Sequence, residues 1–171
     1  DLSDCDLVFV CVPTPMNKGG SCHTRIVENV IRDLMGLEIR AQNIVLRSTV
    51  PVGTCRSLLG VSIMPEFLTE ANWTEDFKNC NTRVIGLSNP ESDYMRTKFL
   101  DLFYLAKKSG KINSDECHFC STEEAETAKL TRNCFLAVKV AFFNEIEDFC
   151  RKLGIDYEGV VTITTMDERI G

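Results

Sequence analysis

The sequence predicts an α/β protein in which helices cover both faces of a parallel sheet and one long helix follows. Apolar runs of strand length begin near residues 6, 43, 61 and 82, and segments of helical periodicity or loop composition separate them. Strands that alternate with helices are typical of a doubly wound parallel sheet. The length of 171 residues allows one core, or one domain and a piece of another.

Each predicted strand ends in a proline or a polar turn. The run over residues 6–12 is continuously apolar up to Pro13, so we expect that strand to be buried on both faces. Shorter strands are predicted over 43–47 and 61–64. The remaining predicted elements are helices over 24–40, 54–59 and about 91–107, a strand over 82–87 and a last strand near 117–120.

Polar side chains follow the first three predicted strands. Thr14 follows the first, Ser48 and Thr49 follow the second, and Glu66 and Glu70 follow the third. The carboxyl ends of parallel strands meet at one edge of a sheet, where open α/β sheets bind their ligands. A single hydroxyl at such a position is commonly a turn or N-cap residue. Three sets in register favour a ligand crevice.

A polar, turn-rich segment over residues 107–116 predicts a domain boundary near 120, giving domains 1–120 and 121–171. Ser121 and Glu124 have the spacing of a capping box, and Gly154 is a suitable C-cap, so a helix over 122–153 is expected between them. Two apolar stripes on this helix indicate a partner, and a homodimer supplies one most simply. The alternative is a central helix inside a monomeric helical domain. The stripes are Phe135, Val138, Phe142, Ile146, Phe149 and Leu153, and Leu136, Val140 and Phe143.

Lys129 and Asn133 are four residues apart near the start of this helix, so they project from one face. An ammonium and an amide together suit an oxyanion or a sugar hydroxyl, because the first supplies charge and the second supplies directed donors. The alternative interpretation is a solvated helix face.

Composition excludes several classes of protein. The net charge is −6 and no block of Lys and Arg stands out, so we expect neither nucleic-acid binding nor a surface for anionic membranes. No apolar run has the length of a membrane span, and the first residues do not resemble a signal peptide, so a cytoplasmic location is expected.

The nine cysteines are an odd number without the dense spacing of a secreted scaffold. We expect reduced thiols, mostly buried. Cys117 and Cys120 form a C-x-x-C pair, which is half of a common zinc site. Because no second pair follows at ligand spacing, no metal is expected.

Six stretches in a fixed order span essentially the whole chain. They are Val8–Pro15, Ser48–Thr54, Pro65–Glu70 with Glu75–Phe77, Arg83–Gly86, Ala125–Asn133 with Phe135, Leu136, Asn144 and Glu145, and Asp167–Gly171. Each stretch alone is weak, but together they specifically resemble the UDP-glucose/GDP-mannose dehydrogenase family.

The resemblance implies NAD-dependent oxidation of the C6 alcohol of a nucleotide sugar to a carboxylate in two hydride transfers, as from UDP-glucose to UDP-glucuronate. It implies NAD contacts from Thr14, Thr49 and Glu70. Glu66 is expected to handle water or protons in the hydrolytic half of the reaction, and Lys129 and Asn133 are expected to steady the C6 oxygen. The substrate site is expected to include Glu66, Phe67, Leu68, Thr69, Glu70, Lys129 and Asn133.

Two features of the family are not found in the sequence. None of the ten glycines forms a Gly-x-Gly-x-x-Gly loop for the dinucleotide pyrophosphate, and no cysteine matches the family's nucleophile, which would follow Gly171. We therefore expect an internal piece: the later part of a Rossmann-type NAD domain and the start of a central helical dimerisation domain, inactive alone. The sequence departs from the family pattern at Met64, Arg132 and Glu168, and because the first two lie beside expected substrate-facing positions, the identity of the nucleotide sugar is left open.

Two other functions compete with this one. A β-hydroxyacid or 6-phosphogluconate-type dehydrogenase also places a Lys and an Asn four residues apart on the first long helix after its NAD domain, although those families favour Gly at the position of Ala125. A non-catalytic homologue that keeps the scaffold for dimerisation is the other alternative.

Overall fold

The computed structural model describes residues 2–170, except for the side chain of Ser3. Its five strands are β1 (Val8–Val10), β2 (Ile44–Leu46), β3 (Ser62–Ile63), β4 (Thr82–Leu87) and β5 (Glu116–Ser121). Its helices are α1 (Arg25–Gly36), α2 (Thr54–Ser57), α3 (Trp73–Asn79), α4 (Asp93–Lys108), α5 (Thr122–Leu153) and α6 (Tyr157–Thr164). One compact unit ends at Leu130 and a second begins at Thr131. The α/β class is confirmed, and the division into 1–120 and 121–171 stays a prediction.

The sheet is mixed, with strand order β1-β2-β3-β4-β5. Strands β1, β2 and β3 are parallel, β4 runs antiparallel to β3, and β5 is parallel to β4. The predicted parallel sheet is therefore found in three of the four pairings, and the pairing of β3 with β4 departs from it. No helix returns the chain across the sheet between β3 and β4: the seven-residue α3 is the only helix in that link, so β4 starts at the edge where β3 ends and runs back. The 16-residue α4 does make that return between β4 and β5.

The core lies on both faces of the sheet. All three β2 side chains are fully buried: Ile44 and Leu46 pack in the cluster that includes α1, and Val45 packs in the cluster that includes α4. This alternation is what helices on both faces of a sheet produce. Strand β1 differs from expectation. It is an edge strand of the described sheet, and Phe9 is 37% exposed, so the prediction that this strand is buried on both faces is wrong.

The predicted ends of the long helix are confirmed. The N–H and hydroxyl of Ser121 both donate to Oε2 of Glu124, at 2.7 and 2.6 Å, and the Glu124 N–H donates back to the Ser121 hydroxyl at 3.2 Å. This is a complete capping box. At the other end Gly154 adopts φ +67°, and the Ile155 N–H donates to the Cys150 carbonyl at 3.0 Å. A left-handed glycine with such a bond ends a helix.

The cysteines are free thiols, as expected, but most of them are not buried. Only Cys55 and Cys150 are buried, and Cys5, Cys11 and Cys134 are exposed. Cys117 and Cys120 pack in different core clusters, because side chains three positions apart on a strand point to opposite faces. The pair therefore cannot share one metal ion. No helix within residues 2–170 is both long and apolar enough to cross a membrane.

Candidate functional site

The loops after β1 and β2 meet at one edge of the sheet and are tied together. Because the two strands are parallel, their carboxyl ends lie side by side. The Thr14 hydroxyl donates to the Thr49 carbonyl at 2.7 Å, and the Ser48 hydroxyl donates to the Val12 carbonyl at 2.5 Å. The two threonines predicted to contact NAD are thus in direct contact. Within the described residues the Thr49 hydroxyl has no hydrogen-bond partner.

The segment after β3 reaches the same edge and is held by local hydrogen bonds. Oε2 of Glu66 accepts the Leu68 N–H at 3.0 Å. The N–H and hydroxyl of Thr69 donate to Oδ2 of Asp76, in the first turn of α3, at 2.8 and 2.6 Å. These bonds lower the pKa of Asp76, so its carboxylate stays ionised. The result is a compact turn beginning at Glu66, with Thr69 and Glu70 exposed.

Helix α5 brings Lys129 to this turn. Strand β5 runs opposite to β3 and ends at the far edge of the sheet, so the start of α5 must run back along the sheet. The seven steps along the helix from Thr122 to Lys129 cover about 10 Å, roughly the length of a three-residue strand. Nζ of Lys129 then lies 2.6 Å from Oε1 of Glu66 and 2.5 Å from its carbonyl oxygen.

In this ion pair the lysine is strongly desolvated, whereas the glutamate is partly open to water. The Lys129 side chain is 8% exposed and that of Glu66 is 34% exposed. Burial alone would raise the pKa of Glu66. The hydrogen bonds from Lys129 and Leu68, with the charges of Lys129 and Arg47, outweigh it and hold the pKa of Glu66 below its usual range. The site therefore contains an ionised carboxylate beside a nearly buried ammonium.

Arg47 is a site residue that sequence reasoning missed. It directly follows β2, and its guanidinium lies 5.9 Å from the centre of the Phe77 ring. Burial lowers the pKa of Arg47, while Cys11 and then Glu66 oppose that change. The available signal was a basic residue directly after a buried strand, at the edge where ligands bind.

Glu126 is the second residue that was missed. It lies one turn before Lys129 on α5, is only 1% exposed, and accepts hydrogen bonds from the N–H groups of Gly53 and Cys55. Burial, with the neighbouring Glu126 carboxylate, raises the pKa of the Cys55 thiol. Cys55 is therefore a neutral core residue and not a nucleophile. The pattern of the sequence did not separate Glu126 from the other charges of the helix.

The other predicted site residues lie at larger distances from the Lys129–Glu66 pair or on the protein surface. The Phe67 ring lies 5.7 Å from Nζ of Lys129, and Leu68 lines an apolar cavity of about 470 Å³. Glu70 is exposed and has no hydrogen-bond partner among residues 2–170. Asn133 is exposed on the part of α5 that belongs to the second compact unit. No group of three or more His, Cys, Asp or Glu in the described chain is arranged to hold a metal ion.

Relatives of known sequence share the whole of this chain. It is 33% identical to UDP-glucose 6-dehydrogenase from Rickettsia bellii, with 100% of this chain and 40% of that protein covered. It is 30% identical to UDP-glucose 6-dehydrogenase from Pseudomonas aeruginosa, with 99% and 40% covered. The chain therefore spans about 40% of the length of these relatives.

Solved structures share the fold. The GDP-mannose dehydrogenase of Pseudomonas aeruginosa, in a ternary complex, matches 96% of this chain with a TM-score of 0.77 and 27% identity, over 40% of its own length. UDP-glucose dehydrogenase from Pyrobaculum islandicum matches 97% with a TM-score of 0.77 and 29% identity, also over 40% of its length. Residues 1–104 match the family's NAD binding domain and residues 123–171 match its central domain. The chain belongs to the UDP-glucose/GDP-mannose dehydrogenase family.

Proposed function

We propose that the protein containing this chain oxidises the C6 alcohol of a nucleotide sugar to a carboxylate with NAD, in two hydride transfers, as in UDP-glucose 6-dehydrogenase. The observation that carries the proposal is the contact between the Lys129 ammonium and the Glu66 carboxylate at 2.6 Å. This contact lies at the sheet edge to which Thr14 and Thr49 also belong. A charged pair beside a hydroxyl-lined crevice suits the oxidation of an alcohol.

Lys129 is proposed to stabilise negative charge on the C6 oxygen. An ammonium has three N–H donors, and Glu66 accepts two of them through its carbonyl and its carboxylate. The third is left for a substrate oxygen. Because Lys129 is 8% exposed, its charge is weakly screened and its effect on a developing alkoxide is large. Asn133 is proposed to add an amide donor to the same oxygen or to its water.

Glu66 is proposed to serve the hydrolytic half of the reaction. Its carboxylate is ionised and 34% exposed, so one side contacts Lys129 while water still reaches the group. An ionised carboxylate orients an attacking water and accepts a proton from it. The segment 66–70, of which Glu66 is the first residue, is proposed to line the nucleotide-sugar site.

NAD is proposed to bind over the loops after β1 and β2, with contacts from Thr14, Thr49 and Glu70. The fit is supported by the Thr49 hydroxyl and the Glu70 carboxylate, neither of which has a hydrogen-bond partner within residues 2–170. When bound, the cofactor accepts a hydride in each oxidation step. The role of this chain is to hold the two hydroxyl-bearing loops at a fixed spacing beside Lys129.

The proposed partner is a second copy of the protein, bound through the long helix. Large apolar side chains in the second unit are exposed, among them Phe135 at 68% and Phe142 at 56%. Exposed apolar surface of this kind marks a contact with another chain. The cytoplasm is proposed as the location because the substrate and cofactor are soluble metabolites.

The deciding experiment is an NADH-production assay of the full-length protein with a panel of UDP- and GDP-sugars. We expect NADH formation with one of these sugars and a uronate as the product. A β-hydroxyacid dehydrogenase would instead reduce NAD only with hydroxyacids, which form the second arm of the panel. Absence of NADH with every compound would support the non-catalytic homologue.

A further inference from the structure

The most completely buried charged side chain in the described part of the chain has no role in the proposed chemistry. Glu126 is 1% exposed and lies on α5. Its Oε2 accepts the Gly53 N–H at 2.6 Å, and its Oε1 accepts the Cys55 N–H at 2.8 Å. A carboxylate is buried at this depth only when both oxygens are satisfied, and here two backbone donors satisfy them.

The bonds join parts of the chain that are more than 70 residues apart. Gly53 is the last residue of the loop that follows β2, and it has φ +87°, which favours glycine. Thr49 lies in the middle of this loop. The first end of the loop is held by the Ser48 hydroxyl on the Val12 carbonyl, and Glu126 holds the second end. Glu126 is therefore the side chain that ties the second end of the loop to a distant part of the chain.

The position of Glu126 on the helix gives these bonds a consequence for the site. Residues three apart on a helix lie on the same face, so Glu126 and Lys129 face the sheet edge together. Glu126 holds the loop that carries Thr49, and Lys129 holds the turn that begins at Glu66. Thr14 is connected to the same network through its bond to the Thr49 carbonyl. A single helical turn therefore sets the spacing between the loops of all three parallel strands.

We propose that Glu126 is a positioning residue that fixes the Thr49 loop at the distance from Lys129 that the cofactor requires. The inference rests on the proposed function, because it takes the Thr49 loop as the NAD contact. This role requires the two acceptor oxygens of a carboxylate, and a side chain of the same shape is not sufficient. A glutamine at this position has one acceptor oxygen, and its NH2 group would face a backbone N–H donor. An aspartate keeps both oxygens on a side chain shorter by one methylene.

The test measures NADH binding to the full-length protein by fluorescence titration, so it does not depend on turnover. Glu126→Gln is expected to weaken NADH binding about tenfold, since one buried donor loses its acceptor. Glu126→Asp is expected to weaken it less. The matched control is Glu124→Gln, which alters another carboxylate of α5 that accepts a backbone N–H, that of Ser121, but is exposed and outside this network. The control is expected to bind NADH like the wild type.

A merely structural role for Glu126 would lower the thermal midpoint without changing the NADH dissociation constant of the folded protein. Wild-type affinity in folded Glu126→Gln, or equal weakening by Glu124→Gln, would overturn the proposal. If Glu126→Gln does not fold, Glu126→Asp decides, and wild-type affinity in that variant overturns it. A wild-type protein that binds NADH but oxidises no nucleotide sugar would overturn the proposed function and leave the positioning role intact.

Discussion

The ammonium of Lys129 contacts both the carbonyl and the carboxylate of Glu66, a residue 63 positions earlier in the chain. A lysine that binds one residue in this two-point manner holds both the backbone and the side chain of its partner. The pair therefore fixes the backbone of the turn after β3 as well as the position of the Glu66 carboxylate. Lys98 makes the same two-point contact with Asp6, at 3.2 and 2.9 Å, at the amino end of β1 and so at the opposite edge of the sheet.

Replacing Lys129 by alanine is expected to lower kcat of the full-length enzyme by about 10²–10³-fold, because a preorganised charge beside the reacting oxygen is removed. NADH binding should be nearly unchanged, since Thr14 and Thr49 keep their own contact. Steady-state kinetics and an NADH titration measure the two effects. Lys98→Ala is the matched control, and it should keep wild-type turnover. Near-normal turnover of Lys129→Ala would refute the role of this ammonium.

Replacing Glu66 by glutamine is expected to slow release of the acid more than the first hydride transfer, because an amide cannot accept a proton from water. Rapid mixing should then show a burst of NADH in which each of the two hydride transfers contributes one equivalent. A slow steady state should follow the burst. The wild type should show a smaller burst relative to its steady rate. Undiminished steady-state flux in Glu66→Gln would contradict the proposed role in hydrolysis.

The pKa of Glu66 predicts how this pair contributes to stability as pH changes. The pKa is lower in the folded protein than its ordinary value of about 4.3. The folded state therefore binds the proton less tightly than the unfolded state does. The stabilisation is fully present above the unfolded pKa and is lost as the pH falls through the lower pKa of the folded state.

Urea unfolding of the wild type and of Glu66→Gln between pH 7 and pH 3 measures this contribution. The difference in free energy of unfolding should be largest near neutral pH and should shrink as the pH falls below the ordinary glutamate pKa of about 4.3. In a Lys129→Met background the same comparison should show a smaller pH dependence, because the largest of the influences that lower the pKa is gone and only those of Leu68 and Arg47 remain. A difference in free energy of unfolding that does not change with pH in the wild-type background would show that Glu66 has the same pKa in the folded and unfolded states.

Much of the sheet could be predicted because burial imposes a pattern on each strand. A run such as Ile44–Leu46 is apolar on successive residues because it is covered on both faces. The direction of β4 could not be predicted, since an apolar run has the same composition whichever way it runs. Helices α3 and α6 were also not predicted. They have seven and eight residues, too few to show a clear helical period.

The candidate site likewise contains residues that could be predicted from the sequence and residues that could not. Polar residues after strand ends identified Thr14, Thr49 and Glu66, because the position alone places them at the ligand edge. Glu126 is different, since its importance comes from two backbone N–H groups more than 70 residues away. No local pattern contains that contact. Arg47 directly follows a buried strand and could have been identified by the rule that identified Ser48.

The exposed apolar side chains of the long helix predict a dimer of the full-length protein. Phe142 is 56% exposed, and burying such a ring against a second copy contributes about 2 kcal/mol. Phe142→Glu should therefore raise the dissociation constant of the dimer by at least tenfold in sedimentation equilibrium. Lys152→Glu changes charge at an exposed polar position of α5 and should have a smaller effect. A wild-type protein that is monomeric at micromolar concentration would contradict the interface.

Gly86 on β4 is expected to tolerate no side chain. A Cβ added there would lie 2.6 Å from Cγ2 of Ile63, 2.8 Å from Cβ of Ala125 and 3.0 Å from the Cα of Thr122. Two of these contacts are with the first turn of α5, so the helix would have to move away from the sheet. Overpacking of this kind costs about 1–3 kcal/mol, and Gly86→Ala should lower the free energy of unfolding by that amount.

The matched control is Gly36→Ala in the last turn of α1, where an added Cβ meets nothing within 4 Å. That variant should be as stable as the wild type or more stable, because alanine favours the helix. Urea unfolding compares the two variants. Since Glu126 and Lys129 follow on the next turns of α5, Gly86→Ala should also weaken NADH binding and lower turnover in the folded protein. Equal stability of the two alanine variants would show that the start of α5 does not depend on this close approach.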